Sequence, residues 1–204
     1  IRDSLQGELR AGGCRIERAT PELALRPSAS GGALLTTPAG DRAFSTVIST
    51  VPLPLLAPIL RAGGVEADLA ERYAALPSVA CACVVLQTRQ PVSGNFWTNV
   101  NDERFAIPGV IEMSNLRPLP GHVSYVPFYI PADHPDYQRP NEVFIDDAWQ
   151  CLQAINPELG AADLIASHCS RYRFAQPVCG VNFRQNLPPL QPFPGVFTAD
   201  TTAY

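Results

Sequence analysis

The sequence predicts an α+β fold: an antiparallel sheet backed by helices and inserted into part of a second, α/β layer. Three observations carry that prediction. Five apolar segments, Val79 to Arg89, Phe96 to Val100, Phe105 to Ile107, Gly109 to Asn115 and Val123 to Ile130, succeed one another with turn residues between them, as in a strand meander. Asn141 to Ile155 places Val143, Phe144, Ala148, Cys151 and Leu152 on one stripe, which suits a helix lying on a sheet. Thr46-Val47-Ile48-Ser49-Thr50-Val51, far upstream, is β-branched with little alternation, the pattern of a strand buried on both faces.

The other elements follow in order. Ile1, Leu5 and Leu9 recur at helical spacing, and Gly12-Gly13 stops the helix. Cys14 to Thr20 and Leu23 to Arg26 read as short strands around Pro21, and Ala33 to Thr37 as another before the turn Pro38-Ala39-Gly40-Asp41. Arg42 to Val51 is one strand closed by Pro52. Prolines at 52, 54 and 58 leave room for a short or kinked helix over Leu53 to Leu60, and Glu66 to Leu76 is a cleaner helix closed by Pro77. Asn141 is suited to cap the helix that follows it. Ala161 to Leu164 is a short helical stretch, Ala166 to Phe174 the last strand of the sheet, and a proline-rich segment leads to Gly195. The expected division is 1–60 and 194–204 in one layer, with 61–193 inserted between them.

The ending has its own signature. Pro194-Gly195-Val196-Phe197-Thr198-Ala199-Asp200 is a glycine turn, a short apolar strand and an acid among small residues, which reads as a strand end facing a phosphate or a sugar. With Thr201, Thr202, Ala203 and Tyr204 it closes the chain without the helix expected next, so the chain reads as a piece of a longer protein. Uncovered strand edges around 46–51 and 196–198 would then invite self-association.

Composition narrows the classes. The 204 residues are 46% hydrophobic and 17% charged, enough apolar matter for a packed core. A net charge of -4 provides no basic surface for nucleic acid or anionic lipid. No run approaches the ~20 apolar residues of a membrane helix, and Ile1-Arg2-Asp3-Ser4 lacks the apolar core of a signal peptide, so a cytoplasmic location is expected. Twenty-one prolines, about twice the ordinary share of ~5%, gather in the loops. Six cysteines do not make a disulfide framework at this length. Cys81 and Cys83 share one face of a strand and read as buried thiols rather than metal ligands.

Candidate chemistry is concentrated in the inserted sheet. Phe96, Trp97, Phe105, Tyr125, Phe128 and Tyr129 read either as core or as the lining of a substrate cavity. Glu112 and Asn115 are polar positions in an apolar strand, and alternation would turn Glu112 outward. Tyr172 and Arg173 precede Phe174-Ala175-Gln176-Pro177 and are either site residues or a solvated strand edge. Asp133, His134, Asp136 and Tyr137 form a polar loop cluster that fits a turn better than an acid–base pair. No nucleophile elbow, zinc-protease helix or phosphate loop occurs.

The ordered set formed by the opening helix with Gly12-Gly13, the strand ending at Thr20-Pro21, the strand Thr46 to Pro52, the inserted sheet and the closing Pro194 to Asp200 resembles the flavin-containing amine oxidase and protoporphyrinogen oxidase superfamily. The resemblance covers nearly the whole chain. It implies that 1–60 and 194–204 are remnants of an FAD-binding domain, that 61–193 is a substrate-binding domain, and that the parent oxidises a C–N or C–C bond of a small molecule. It implies cofactor contacts by Asp200 and Thr201, near the flavin's ribityl and diphosphate groups, and by the backbone of Glu22, after Thr20-Pro21, near its adenine. Ala199 stands where the family commonly has glycine. It implies substrate contacts by Phe96, Trp97, Glu112, Tyr125, Tyr129 and Arg173. The Gly-x-Gly-x-x-Gly fingerprint is absent, so this chain alone is expected not to hold FAD and to be inactive. Two other readings stay open: a flavin-dependent sugar-nucleotide mutase using arginines such as Arg104, Arg117, Arg171, Arg173 or Arg184, and a non-catalytic binding domain.

Overall fold

The computed structural model describes residues 2–203; Ile1 and Tyr204, named above in the first helix and the ending, lie outside them. In chain order the elements are α1 (Arg2–Ala11), β1 (Ala24–Pro27), β2 (Ala33–Thr37), β3 (Gly40–Phe44), β4 (Val47–Ser49), α2 (Leu53–Ala62), α3 (Ala67–Ala74), β5 (Ser78–Thr88), β6 (Trp97–Asn99), β7 (Gly109–Glu112), α4 (Met113–Leu116), β8 (His122–Ile130), α5 (Asn141–Ile155), β9 (Leu164–Pro177), α6 (Phe183–Asn186) and β10 (Val196–Thr198). The fold is α+β with antiparallel sheets and one parallel strand pair.

Two compact units divide the chain: one holds the described residues through Leu76 together with those from Val181 onward, the other Pro77–Gly180. These junctions differ from the expected 60/61 and 193/194, and the reason is side-chain bonding. Arg72 of α3 donates to the Leu187 carbonyl at 2.8 Å, and the buried Tyr73 hydroxyl donates to the Pro189 carbonyl, so α3 and the returning segment belong to the first unit. Burial pushes the Tyr73 phenol up to about 12.

In the first unit β1, β2 and β3 form an antiparallel meander, while β4 and β10 pair in parallel with Val47 opposite Val196, Ile48 opposite Phe197 and Ser49 opposite Thr198. Leu53, Leu56, Ala57 and Leu60 of α2 pack with Leu25, Ala33, Tyr73 and Val196 in one apolar core. Two expectations change here. Cys14 to Thr20 forms no strand, and the predicted strand Arg42 to Val51 breaks into β3 and β4. Nor is β4 buried on both faces: Ile48 is 67% exposed and its partner Phe197 43%, because no element among the described residues covers that side of the pair. The α1 helix buries none of its residues.

The second unit is a five-stranded antiparallel sheet in the order β6-β7-β8-β5-β9. Phe105 to Ile107 is not a strand; Phe105 and Ile107 instead pack into the core below the sheet. Met113 starts the short α4 rather than continuing β7. One sheet face, built from Ala82, Val84, Leu86, Val126 and Phe128, is covered by Phe144, Ala148, Cys151 and Leu152 of α5, the stripe expected from the sequence. Asn141 is the first helical residue, after Pro140, and makes no side-chain cap. His134 instead caps a 3-10 turn over Pro135–Gln138, its Nδ1 accepting from the Asp136 amide at 3.2 Å, and Tyr137 is buried beneath it.

Candidate functional site

Covering one face of the second sheet leaves the other open, and register alone determines what that face presents. Directly paired strand residues share a face. Trp97 pairs with Ile111, Ile111 with Tyr125, and Tyr125 with Val85. Tyr129 and Tyr172 both pair with Cys81, from β8 and β9 respectively, while Pro127 and Ser170 pair with Cys83. These residues line or border a cavity of about 490 Å³ whose walls also include Met113, Phe174, Ala175 and Gln176. A bulge in β9 sets Arg173, Phe174 and Ala175 against Ala80 alone, and such bulges re-aim side chains, here bringing Phe174 to the cavity.

The predicted substrate residues separate on this geometry. Tyr125 and Tyr129 line the cavity, 37% and 41% exposed. Trp97 extends the row outward with its indole over Gly109, where a Cβ would sit 3.4 Å from the ring, and its Nε1 donates to Asn99 Oδ1 at 2.7 Å. Phe96 is exposed just before β6. Arg173 stands beside the cavity, its guanidinium 5.8 Å from the Phe174 ring centroid. Phe105 and Phe128 belong to the covered core.

Glu112 is on the other face, contrary to the outward direction expected. It is 1% exposed, and its carboxylate accepts from the Val92 amide at 3.0 Å and the Ser93 amide at 2.9 Å. Asn115 Nδ2 donates to the Ser93 and Asn95 carbonyls at 3.0 and 2.9 Å. The two residues together latch the loop that leads into Phe96 and Trp97. Their role is therefore to hold that loop in place, without contact with the cavity. Glu112→Gln retains one acceptor and turns an NH2 toward a buried amide, so the variant should lose about 1–3 kcal/mol in urea unfolding and exchange faster at the Val92 and Ser93 amides. Unchanged exchange there would contradict the latch.

Among the described residues no charged side chain lines this cavity. Burial pushes the Cys81 thiol up to about 11, with Cys83 adding to it; burial and then Cys169 raise Cys83. Burial raises the Tyr129 phenol, and the two thiols add to the effect. Cys151, in the covered core, is likewise pushed up to about 11, chiefly by burial. These shifts have a sign. The folded protein keeps thiol protons that the unfolded chain releases near 9.0, so stability is complete below about pH 9 and falls as pH rises toward 11. Urea midpoints across that window check it; a Cys81→Ser, Cys151→Ser double variant should flatten the profile, and a flat wild-type profile would contradict it. Cys169 is also buried, whereas Cys14 and Cys179 are exposed.

The first unit gathers different groups. Because β4 and β10 are parallel, their carboxyl ends lie together, followed by the amino terminus of α2 and by Asp200. Pro52 offers α2 no side-chain cap, and Asp200 supplies one from 147 positions away: its Oδ2 accepts from the Leu53 amide at 3.1 Å. Its Oδ1 accepts from the Thr202 amide at 3.0 Å and from the Thr202 hydroxyl. Thr201 is exposed beside it. Glu22 is exposed at the rim of a separate cavity of about 230 Å³ lined by β4 and by Leu56 and Ile59 of α2. Sequence reasoning missed Ile111, Met113 and Pro127, pointed to the stretch Phe174-Ala175-Gln176, and read Cys81 and Cys83 as core. The shared face of the two cysteines was the one signal available.

With this geometry established, a family model and solved structures place the chain among known proteins. A family model described as flavin containing amine oxidoreductase matches residues 3–202. No curated protein sequence matches. Among solved structures, a protein assigned as a protoporphyrinogen oxidase from Exiguobacterium sp. 255-15 superposes with a TM-score of 0.71 at 20% identity, over 98% of this chain and 46% of that one. An oxidoreductase from Methanosarcina mazei gives 0.70 at 18% identity, over 98% and 48%. A reduced UDP-galactopyranose mutase gives 0.67 at 14% identity, over 91% and 40%. These likenesses establish a shared fold, and the chain spans less than half the length of each neighbour.

Proposed function

The chain belongs to the flavin-containing amine oxidoreductase family, and we propose that within it the chain carries the substrate-binding sheet and part of the FAD site of an oxidoreductase acting on a C–N or C–C bond of a small molecule. The observation that carries this reading is the open, aromatic and uncharged face around Tyr125, Tyr129 and Tyr172, whose opposite face is sealed by α5.

The groups of the first unit fit one portion of FAD. Strand ends followed by a helix amino terminus are where open α/β layers bind ligands. The Asp200 carboxylate, already holding Leu53 and Thr202, retains lone pairs for a hydroxyl donor, which suits a ribityl chain flanked by Thr201. A diphosphate does not suit it, since Asp200 and Glu22 are both acids and no glycine-rich loop is present. The adenine contact assigned to the Glu22 backbone belongs to the same proposal. So does the expectation that the 204-residue chain by itself holds no FAD.

When bound, the flavin supplies a two-electron acceptor. The chain's own residues bind and orient the substrate: Tyr125, Tyr129 and Tyr172 by ring contact, and Trp97, with Phe96 before it, at the outer end of the row. Arg173, exposed and 5.8 Å from the Phe174 ring centroid, stands at the margin. A sugar nucleotide would want guanidinium groups on this face. Arg104 is instead paired with Asp102 at 2.5 Å, and Arg171 lies over the core ring of Phe144 at 5.4 Å.

Among the described residues no helix is long and apolar enough to cross a membrane; a cytoplasmic location is part of the proposal. The exposed Ile48 and Phe197 support self-association of this chain, which light scattering reads directly. The function is tested by adding amines and uncharged hydrocarbons to the native gene product without oxygen. Substrate-dependent bleaching of the flavin absorption supports it, and tight binding of sugar nucleotides with no bleaching by any amine or hydrocarbon would overturn it.

A further inference from the structure

We propose that Cys81 sets the width of a slot between Tyr129 and Tyr172, and that this slot selects a flat, uncharged ring system. The inference rests on the reading of the open face as the substrate-binding face. Tyr129 and Tyr172 are the two cross-strand neighbours of Cys81 and stand on the same face. Adjacent strands are ~4.8 Å apart, so the two tyrosine backbones are separated by about 10 Å. Aromatic pairs prefer ring centroids about 4.5–7 Å apart, so that gap admits one planar group between the two rings.

What keeps the slot empty of protein is the small thiol at its base. Cys81 is 6% exposed while the flanking rings are 41% and 58% exposed, so the residue forms a floor and the tyrosines form walls. Cys83, between Pro127 and Ser170, continues the floor along β5 with short side chains. A leucine or phenylalanine at position 81 would occupy the guest's volume.

Charge decides which rings enter. The lining holds thiols, a thioether, phenols, one phenyl ring, aliphatic groups and one amide, with no charged group among them; the exposed Arg173 stands outside it, at the margin beside Phe174. An ion moved into such a lining loses water without gaining a partner. The phenol and thiols keep their protons at neutral pH, so the slot acquires no charge of its own.

The test titrates the purified chain with 2-naphthylmethanol and with 2-naphthoate, following tyrosine and tryptophan fluorescence. The neutral probe should bind at least about ten-fold more tightly than the carboxylate. Cys81→Ser, which keeps the width, should retain binding; Cys81→Phe, which fills the slot, should abolish it with the circular dichroism unchanged. Should Cys81→Phe misfold, Tyr172→Ala, at an exposed wall, should weaken the neutral probe by a similar factor. Equal affinity for the two probes, or wild-type affinity in whichever of these two slot variants folds, would overturn the proposal. No flavin enters this titration, so its failure leaves the flavin reading to be judged by the flavin content of the native protein, and the reverse.

Discussion

Gly32→Ala should cost about 3–5 kcal/mol and Gly31→Ala, one residue away, only about 1–3 kcal/mol. Both residues turn the chain between β1 and β2 with positive φ, 89° at Gly31 and 75° at Gly32, so both substitutions incur backbone strain. Their surroundings differ. A Cβ at Gly31 would meet nothing within 4 Å, whereas at Gly32 it would lie 2.2 Å from the Phe44 carbonyl oxygen and 2.8 Å from that of Ser45. Backbone cannot rotate away as a side chain would. Gly195 closes on the same point, 2.8 Å from the Gly32 Cα by its own absent Cβ, and its carbonyl accepts from the Val47 amide at 2.8 Å. The glycine junction therefore joins the meander to the parallel pair, and Gly32→Ala should also strip hydrogen-exchange protection from β4 and β10. Equal urea midpoints for the two variants would contradict this account.

Phe144→Ala should cost about 3–5 kcal/mol, with Phe144→Leu between it and wild type. Phe144 is fully buried and meets Phe128 edge-on, with ring centroids 5.1 Å apart. Arg139 and Arg171 both place guanidinium groups over its ring, at 5.1 and 5.4 Å, while Arg139 pairs with Asp147 at 2.6 Å. Leucine restores volume but none of the ring contacts, worth about 0.5–1.5 kcal/mol each. Hydrogen exchange should show the loss first in α5 and in β5 and β8 beneath it. A Phe144→Ala variant within about 1 kcal/mol of wild type would mean that α5 does not seal the sheet through this residue.

Much of this fold is written locally. The stripe from Phe144 to Leu152 and the long apolar runs that become β5 and β8 need no partner to be recognised, because their periodicity reports which side must be buried. Elements whose state depends on distant chain were harder. Cys14 to Thr20 has the composition of a strand but pairs with none of the described strands, and Phe105 to Ile107 goes to the core instead of the sheet edge. Thr46 to Val51 looks doubly buried, yet Ile48 is exposed because covering it takes an element on that side of the pair.

The site divides the same way. Tyr125 and Tyr129 were recognisable as aromatics on one face of a strand, two turns of the pleat apart. That Cys81 separates Tyr129 from Tyr172 depends on the pairing of β5 with both β8 and β9, which no local pattern records. Glu112 was visible as an anomaly in an apolar strand, but its direction was set by the buried amides of Val92 and Ser93, twenty residues upstream. Asp200 was conspicuous for its neighbours, while its bond to Leu53 spans almost the entire length from β4 to the end of the chain.

Flavin content after gel filtration tests the central claim most directly, measured on the native gene product, on its Asp200→Ala variant and on the 204-residue chain alone. The account predicts about one flavin per native protein, strong loss in the variant, and none on the isolated chain. A flavin-free native product, or an isolated chain that keeps its flavin regardless of Asp200, would contradict it.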